Sequence, residues 1–487
     1  PYPPSAGGPP VPHDITEDTL YAPVRELAAL VRDKRVSPLA LTEAYLARLE
    51  KWGPKLGAVV TVTRDRALQE AREAEREIAS GHYRGPLHGI PYGAKDLLAT
   101  RGILTTWGAE PYRKQVFDYD ATAVKKLRAA GAVLVAKLAM VELAGAFGYN
   151  NADASFTGPG RTPWNTAYWS GGSSSGPGAA VAAALVPFAI GSETSGSIIT
   201  PAAYCGVSGL RPTYGRVSRH GAMALAWTLD KLGPMCRSAD DCGLVLAALA
   251  GPDPLDPSAV AEPFTYPDRE PPAAPPAGKK PYKVGVLRGA TDRAQPEVAR
   301  NFAESLKVLR QFAEVTEDVP LPDLPFGEVV STIVKAEGAS AFRDLLESGK
   351  AKQLRAAADR WGGYAAAAVL AVDYLQAMRI RGPMKRAMDD LYAKYDALVA
   401  PSRGTVSYPI NQDFDRGWPG FGGGPPVIPA GNAVGQPALS VPNGFGVKGL
   451  PTGIQLTGRA WGEGRLLEVA HAYQQATDWH KKRPPLA

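Results

Sequence analysis

The sequence predicts an α/β fold, in which helices cover the faces of a β-sheet. Strand-like apolar runs at residues 58–63 and 132–136 alternate with helical patterns, one ending near residue 79 and one starting near residue 121. Such alternation is typical of a sheet with helices packed on it. The chain has 487 residues, of which 45% are hydrophobic and 21% charged, as in ordinary globular proteins. We therefore expect a folded chain with a large core.

The first long helix is marked at both of its ends. Ser37 followed by Pro38 is typical of a helix start, because serine caps the first turn and proline there loses no hydrogen bond. Gly53 predicts the end of this helix. The residues spaced along one face are Leu41, Tyr45, Leu49 and Trp52. Their spacing indicates an amphipathic helix packed on the core.

A proline-rich stretch separates the two halves of the chain. Residues 252–282 hold ten prolines in 31 positions and little hydrophobic periodicity, so we expect an extended surface connector. The elements predicted after it are a strand at 284–287, a helix at 296–312, Ala-rich helices between about 326 and 395, strands at 438–441 and 453–456, and a final helix.

These elements suggest one domain over residues 21–487, with a mostly helical insert at about 326–396. Residues 1–20 are predicted to be an extended, Pro-rich N-terminus. The first twelve residues contain six prolines and no Met, which suggests a chain trimmed of a leader. Both a cytoplasmic location and secretion after loss of a leader therefore stay open.

Charge and hydropathy argue against two classes of partner. The net charge of +6 is small and forms no basic stripe, so we expect no nucleic-acid partner. The longest strictly apolar run, residues 179–190, has 12 residues and contains Pro187, whereas a bilayer requires about 18 to 20. We therefore expect no membrane association. Cys205, Cys236 and Cys242 form no CxxC pair and are predicted to be buried free thiols.

Familiar cofactor and metal signatures are missing from the sequence. It has no GxxxxGK[ST] loop and no HExxH motif, and its six histidines show no ligand spacing. We expect neither a cofactor nor a catalytic metal.

Serine-rich loops carry the chemistry that remains. The three relevant runs are GIPYGAKD at residues 89–96, GGSSSG at 171–176 and GSETSGSII at 191–199. A serine hydroxyl needs a base before it attacks a carbonyl, and neither serine loop contains a histidine. Lys95 could act only as the neutral amine, which requires its pKa to fall by about three units, or roughly 4 kcal/mol. The N–H groups of residues 194–197 could bind an oxyanion.

These three runs resemble the amidase signature family, whose catalytic groups form a Ser-cisSer-Lys triad. The resemblance covers most of the chain and is weakest across residues 252–425. It implies a three-layer α/β/α fold around a large mixed β-sheet. The implied site residues are Lys95 as general base, Ser173 as bridging serine after a cis peptide bond, Ser197 as nucleophile, and Thr194, Ser195 and Gly196 as donors to the oxyanion.

Two residues depart from the family pattern. Where the family commonly has DTGGSIR, this chain has ETSGSII, so that Ser195 replaces a glycine and Ile199 replaces an arginine. An ion pair between the acidic residue and that arginine is therefore absent. Glu193 must find another partner.

The resemblance implies an enzyme that hydrolyses a carboxylic amide to acid and amine through an acyl-enzyme. Its partner would be a small-molecule amide, with aryl amides, esters and carbamates as further candidates, and we expect a monomer or homodimer. One alternative is the transamidase (A) subunit of a tRNA-dependent amidotransferase, which would need partner subunits. Another is a catalytically inactive binding module with the same fold. The departures at Ser195 and Ile199 favour the stand-alone amidase.

Ser174 is a competing nucleophile, because residues 172–176 fit the GxSxG elbow of α/β-hydrolases. That motif needs a preceding strand and a later histidine, so Ser197 is favoured. Phe147, Tyr149 and Trp227 could line an apolar channel, although aromatic residues in such contexts more often belong to the core.

Overall fold

The computed structural model describes residues 13–267, 275 and 279–486. Within these residues, eleven strands form one mixed sheet in the order β1-β3-β2-β4-β6-β5-β10-β11-β9-β7-β8. The strands are β1 (Val59–Val62), β2 (Pro91–Lys95), β3 (Val133–Leu138), β4 (Phe188–Glu193), β5 (Ser208–Arg211), β6 (Lys231–Cys236), β7 (Tyr282–Leu287), β8 (Ala313–Val319), β9 (Ala397–Pro401), β10 (Ala438–Phe445) and β11 (Pro451–Thr457).

Parallel pairing is confined to two parts of the sheet. β2 runs parallel to β3 and β4, and β7 runs parallel to β8 and β9. The other neighbouring pairs are antiparallel. The prediction of an α/β fold around a large mixed sheet is confirmed.

Helices cover both faces of this sheet. They are α1 (Glu17–Leu20), α2 (Val24–Arg32), α3 (Pro38–Leu56), α4 (Arg64–Ala79), α5 (Thr122–Ala129), α6 (Ser175–Ala182), α7 (Ile199–Cys205), α8 (Ala239–Leu249), α9 (Pro296–Leu309), α10 (Phe326–Ala341), α11 (Arg343–Glu347), α12 (Ala357–Ala366), α13 (Ala371–Tyr392), α14 (Phe414–Gly417), α15 (Val427–Ala433) and α16 (Glu463–Gln475).

Strand β3 lies between two of the hydrophobic clusters that form the core. All six of its residues are buried, and successive side chains of a strand leave on opposite faces. Val133 and Val135 belong to one hydrophobic cluster, which also contains the apolar residues of α6. Leu134 belongs to the other cluster, together with the apolar residues of α5 and α8. The sheet is therefore the middle of three layers.

Two local predictions need correction. Helix α3 does not end at Gly53 but continues to Leu56, and Gly57 closes it with a φ of 57°. A Cβ at position 53 would lie 2.7 Å from the Val59 side chain, so Gly53 permits a close contact and does not end the helix. The predicted extended N-terminus is wrong for residues 17–20, which form α1 because Thr16 and Thr19 cap it reciprocally. Residues 1–12 lie outside the described part of the chain.

The described part of the connector is tied to the domain by its acidic residues. Asp253 accepts hydrogen bonds from the Thr122 and Ser218 hydroxyls, both at 2.6 Å. Residues 268–274 and 276–278 of the predicted connector lie outside the description. The expected helical insert contains α10 to α13, and the division of the chain into domains stays a prediction. Among the described residues, no helix combines the length and apolar character needed to cross a bilayer.

Candidate active site

Strand β2 delivers Lys95 to the interior of the protein. The strand is buried along its whole length between β3 and β4, and the Lys95 side chain has no exposed surface. Its Nζ donates hydrogen bonds to Ser173 Oγ at 2.7 Å and to Ser192 Oγ at 2.8 Å. Burial lowers the pKa of Lys95 to about 7, although Asp230 and Glu193 act in the opposite direction. A large fraction of this lysine is therefore neutral near neutral pH.

Ser173 lies in the turn that leads into α6. The peptide bond between Gly172 and Ser173 is cis, at the position where the resemblance implies one. The next residue, Ser174, donates its N–H to the carbonyl of Ser197 at 3.2 Å, which ties the two serine loops together. The Ser174 hydroxyl exchanges hydrogen bonds with the main chain of Ser192, both at 3.2 Å. Because Ser174 is buried and bonded in this way, it does not form an exposed nucleophile elbow.

The segment between β4 and α7 carries Ser197 and the predicted oxyanion donors. Gly196 has a φ of 92°, a conformation that glycine adopts without strain. Thr194 donates its hydroxyl to Asp230 Oδ1 at 2.6 Å, which fixes the start of the segment. In the described structure, no intramolecular hydrogen bond occupies the N–H of Ser195, Gly196 or Ser197. These three donors are thus available to a ligand.

Glu193 is paired with Arg211, a partner that the sequence did not identify. Its Oε1 lies 2.7 Å from Arg211 Nη1 and accepts a hydrogen bond from Asn432 Nδ2 at 2.9 Å. Its Oε2 accepts the N–H groups of Ile198 and Ile199 at 2.9 and 3.0 Å. Burial opposes ionisation, but Arg211, Asn432 and the backbone donor outweigh it and lower the pKa of Glu193 to about 2. Arg211 therefore supplies the charge that is missing at position 199.

Ser197 opens onto a cavity of about 340 Å³. Tyr149, for which the sequence left a channel wall and the core as alternatives, lies in the cavity wall, whereas Phe147 packs edge-on against Phe342 in the core. The residues lining the cavity are Ala144, Gly145, Tyr149, Trp169, Gly172, Thr194, Ser195, Ser197, Thr200, Tyr204, Leu225, Val334, Arg403, Tyr408 and Phe414.

A second, smaller cavity of about 170 Å³ is lined by Ser192 and Thr194, at the start of the segment that carries Ser197. Its wall includes Trp227 and Ser192, the second hydroxyl that contacts Lys95. The two cavities share Ala144, Thr194 and Leu225. The three segments singled out in the sequence therefore meet where two cavities adjoin.

Three residues of this region were missed by the sequence reasoning. Ser192 stands inside the quoted serine run, but nothing in the pattern separates it from a turn serine. Arg211 ends strand β5, 18 positions after Glu193, and only the isoleucine at position 199 hinted that such a partner was needed. Arg403 lies in the part of the chain where the family resemblance is weakest, and no pattern marked it.

Comparisons with known proteins identify the family of the chain. A sequence model of the family described as Amidase matches residues 40–467. The chain is 36% identical to the glutamyl-tRNA(Gln) amidotransferase A subunit of Moorella thermoacetica, covering 96% of this chain and 99% of that protein. It is 35% identical to the protein of the same name from Methylococcus capsulatus, covering 94% and 98%.

Solved structures give the same result. The native peptide amidase of Stenotrophomonas maltophilia is 33% identical, with a TM-score of 0.81 over 95% of this chain and 98% of that one. The glutamyl-tRNA(Gln) amidotransferase A subunit of Thermotoga maritima is 26% identical, with a TM-score of 0.77 over 95% and 96%.

These relatives correct the expectation about partners. The chain was expected to be a monomer or homodimer without a nucleic-acid partner. The curated relatives are instead named as subunits of an amidotransferase for glutamyl-tRNA(Gln). A net charge without a basic stripe could not reveal this, because one protein of a complex need not carry the nucleic-acid contacts of the whole.

The match over residues 40–467, the relatives at 35–36% identity and the mixed eleven-stranded sheet lead to one conclusion. This chain belongs to the amidase signature family and is an amidase-type enzyme, acting on carbon–nitrogen bonds.

Proposed function

We propose that the chain cleaves a carboxylic amide through an acyl-enzyme on Ser197, with Lys95 as general base and Ser173 as the proton relay. The observation that carries this proposal is the position of Lys95, a fully buried amine with a pKa near 7 that contacts the Ser173 hydroxyl. A base with a pKa near the working pH is the most effective proton acceptor.

The proposed reaction begins when neutral Lys95 accepts the proton of Ser173 while Ser173 takes that of Ser197. The Ser197 oxygen attacks the amide carbonyl, and the N–H groups of the nucleophile segment bind the oxyanion that forms. Collapse of the tetrahedral intermediate breaks the C–N bond, and the relay returns a proton to the departing amine. Water then attacks the acyl-enzyme by the same route and releases the acid. No step calls for a metal or cofactor.

The biological role that the relatives favour is that of the A subunit of a tRNA-dependent amidotransferase. Proteins of that name match at 35–36% identity over nearly the whole chain. In this role the amine released from an amide donor would serve glutamyl-tRNA, and partner subunits would be required. The second candidate is a stand-alone amidase, which the 33% identity to a peptide amidase supports.

A fluorophosphonate probe tests the nucleophile directly. The wild-type chain should be labelled once, at Ser197, and Ser197→Ala should abolish labelling and amide cleavage. Ser195→Ala is the matched control in the same loop, and it should retain labelling because only its N–H group is used. Absence of labelling together with absence of turnover on a broad amide panel would refute the proposal in favour of an inactive binding module.

Purification from the native host separates the two settings. The amidotransferase role predicts co-purifying subunits and amide-donor cleavage that rises when glutamyl-tRNA(Gln) is added to the complex. A chain that purifies alone and cleaves amides at full rate, with water as the acceptor, would instead be a stand-alone amidase.

A further inference from the structure

Arg403 lies in the wall of the Ser197 cavity, shortly after the end of strand β9. Tyr204 is the main electrostatic neighbour of its guanidinium group, followed by Tyr408 and Tyr149. The residue is half-buried, so part of its surface faces the cavity. It is the only lysine or arginine among the described residues that line this cavity.

The charge of Arg403 is unbalanced within the described structure. None of the described lining residues is acidic, and no ion pair found among the described residues includes Arg403. Two fully buried arginines differ from Arg403 in this respect. Arg211 is paired with Glu193 at 2.7 Å, and Arg216 is paired with Glu463 at 2.9 Å. Partial removal of a cation from water without a neighbouring anion costs free energy, so this site is suited to an anion that enters the cavity.

The walls around Arg403 strengthen such an interaction. Trp169 packs against Phe414 at 4.7 Å between ring centroids, and Tyr204 lies 6.2 Å from Tyr408. Aromatic walls exclude water and lower the local dielectric, which increases the attraction between opposite charges. A guanidinium group presents a planar fork of donors that matches a carboxylate.

We propose that Arg403 binds a carboxylate of the substrate, so that the enzyme prefers amides that carry a carboxylate group over neutral amides of the same shape. This inference rests on the proposed amide cleavage at Ser197. The carboxylate could belong to the acyl part of the substrate or to its amine part, and both present the same group to Arg403.

A matched substrate series tests the preference. The acyl-side arm is the set of ω-carboxy primary amides from malonamate to adipamate, each compared with its methyl ester. The amine-side arm is N-acetylglycine compared with N-acetylglycine methyl ester, with attack at the amide measured by release of the amine. The wild-type enzyme should prefer the free acid in one arm by about 10- to 100-fold in kcat/KM, the range expected for hydrogen bonds to a charged group.

Variants of Arg403 separate recognition from folding. Arg403→Met should remove the preference by raising KM for the acid while leaving the turnover of neutral amides within about threefold of wild type. Arg403→Lys should restore part of the preference because it restores the charge. Arg416→Met, which removes an exposed arginine outside the cavity wall, should leave the preference unchanged. An equal loss on acid and neutral amides in Arg403→Met, or no preference in either arm for the wild-type enzyme, would overturn the inference.

Binding of glutarate provides a readout that is independent of turnover. Calorimetry should detect glutarate with the wild-type chain and with Ser197→Ala, but not with Arg403→Met. Failure of catalysis with retained, Arg403-dependent glutarate binding would count against the proposed function alone. Equal glutarate binding to Arg403→Met and wild type would count against this inference alone.

Discussion

Lys95 and Lys137 are buried lysines on neighbouring parallel strands, but they have different partners. Lys95 pairs in register with Leu138, one position beyond Lys137, so the two amines leave the sheet on opposite faces. Lys137 meets the carboxylate of Asp96 at 3.1 Å and the hydroxyl of Thr105 at 2.7 Å. Lys95 meets two serine hydroxyls, those of Ser173 and Ser192.

The comparison shows that burial alone does not decide whether a lysine is neutral or charged. Burial lowers the pKa of both lysines, but Asp96 opposes that effect at Lys137 and favours its charged form. Among the described residues, no carboxylate forms an ion pair with Lys95, and its pKa falls to about 7. A neutral amine accepts protons, whereas a paired ammonium holds neighbouring segments together. Substituting the lysine at either site should show whether that lysine supports activity or stability.

The largest expected effect is the loss of activity in Lys95→Met. Because Lys95 is the proposed general base, its removal should reduce kcat/KM for amide cleavage by about 10³- to 10⁴-fold. The fold should survive, because Met has a similar volume and removes the cost of burying an amine. Steady-state kinetics and thermal unfolding measure the two quantities. Substantial residual activity in a folded Lys95→Met enzyme would mean that another group is the base.

Lys137→Met should have the opposite consequence. It leaves the carboxylate of Asp96 buried without its ion pair, which should lower the free energy of unfolding by about 3 to 5 kcal/mol. Denaturant unfolding measures this loss. Lys137→Met combined with Asp96→Asn should recover part of it, because the unpaired charge is then gone. A loss in the double variant equal to that in the single one would point to packing instead of charge.

Arg211→Leu extends the comparison to the ion pair between Arg211 and Glu193, next to the loop that carries Ser197. In this variant Glu193 would keep its hydrogen bonds from Asn432 and from two backbone N–H groups. We therefore expect the free energy of unfolding to fall by about 3 kcal/mol, the lower end of the range for breaking a buried ion pair. Adding Glu193→Gln should restore most of the stability, as measured by denaturant unfolding.

The pH dependence of this effect has a defined sign. The pKa of Glu193 is lowered from 4.5 to about 2 in the folded protein, so its contribution is present above pH 4.5 and is lost as the pH falls towards 2. The penalty of Arg211→Leu should therefore be largest above pH 4.5. A penalty that stays constant down to pH 2 would contradict the charge argument.

The pH profile of the wild-type enzyme tests the Lys95 side of the comparison. Because the neutral amine is the proposed active form, kcat/KM should rise with pH through the pKa of about 7 and then level off. At pH 6 the value should lie about tenfold below the plateau. A profile that is flat between pH 6 and 8, or that falls, would exclude this titration.

Ser192→Ala should have the smallest effect. The Ser192 hydroxyl stabilises the ammonium form of Lys95 by accepting a hydrogen bond at 2.8 Å. Its removal should shift the rising limb of the pH profile to lower pH by about half a unit to one unit. The plateau value should change by only a few-fold. A shift to higher pH would show that Ser192 instead supports the neutral amine.

The fold could be predicted from the sequence, and the segments proposed to be catalytic could be singled out, because each depends on local patterns. Ser37 and Pro38 marked the start of α3, and the runs around Lys95, Ser173 and Ser197 stood out by composition. The end of α3 was missed because Gly53 is required by a contact with Val59, which no local pattern encodes. Partners that meet only through the sheet, such as Glu193 and Arg211, need the fold before they can be paired.

Arg403 lies in a different part of the chain from the residues proposed to be catalytic. The residues proposed to perform the chemistry come from residues 95–197, where the motifs that resemble the family lie. One side of the cavity is instead supplied by Val334, Arg403, Tyr408 and Phe414, which lie in the least family-like stretch. Substitutions in that stretch can therefore change the wall of the cavity during evolution without touching the residues proposed to form the proton relay. One reaction centre can in this way be inherited by enzymes with very different substrates.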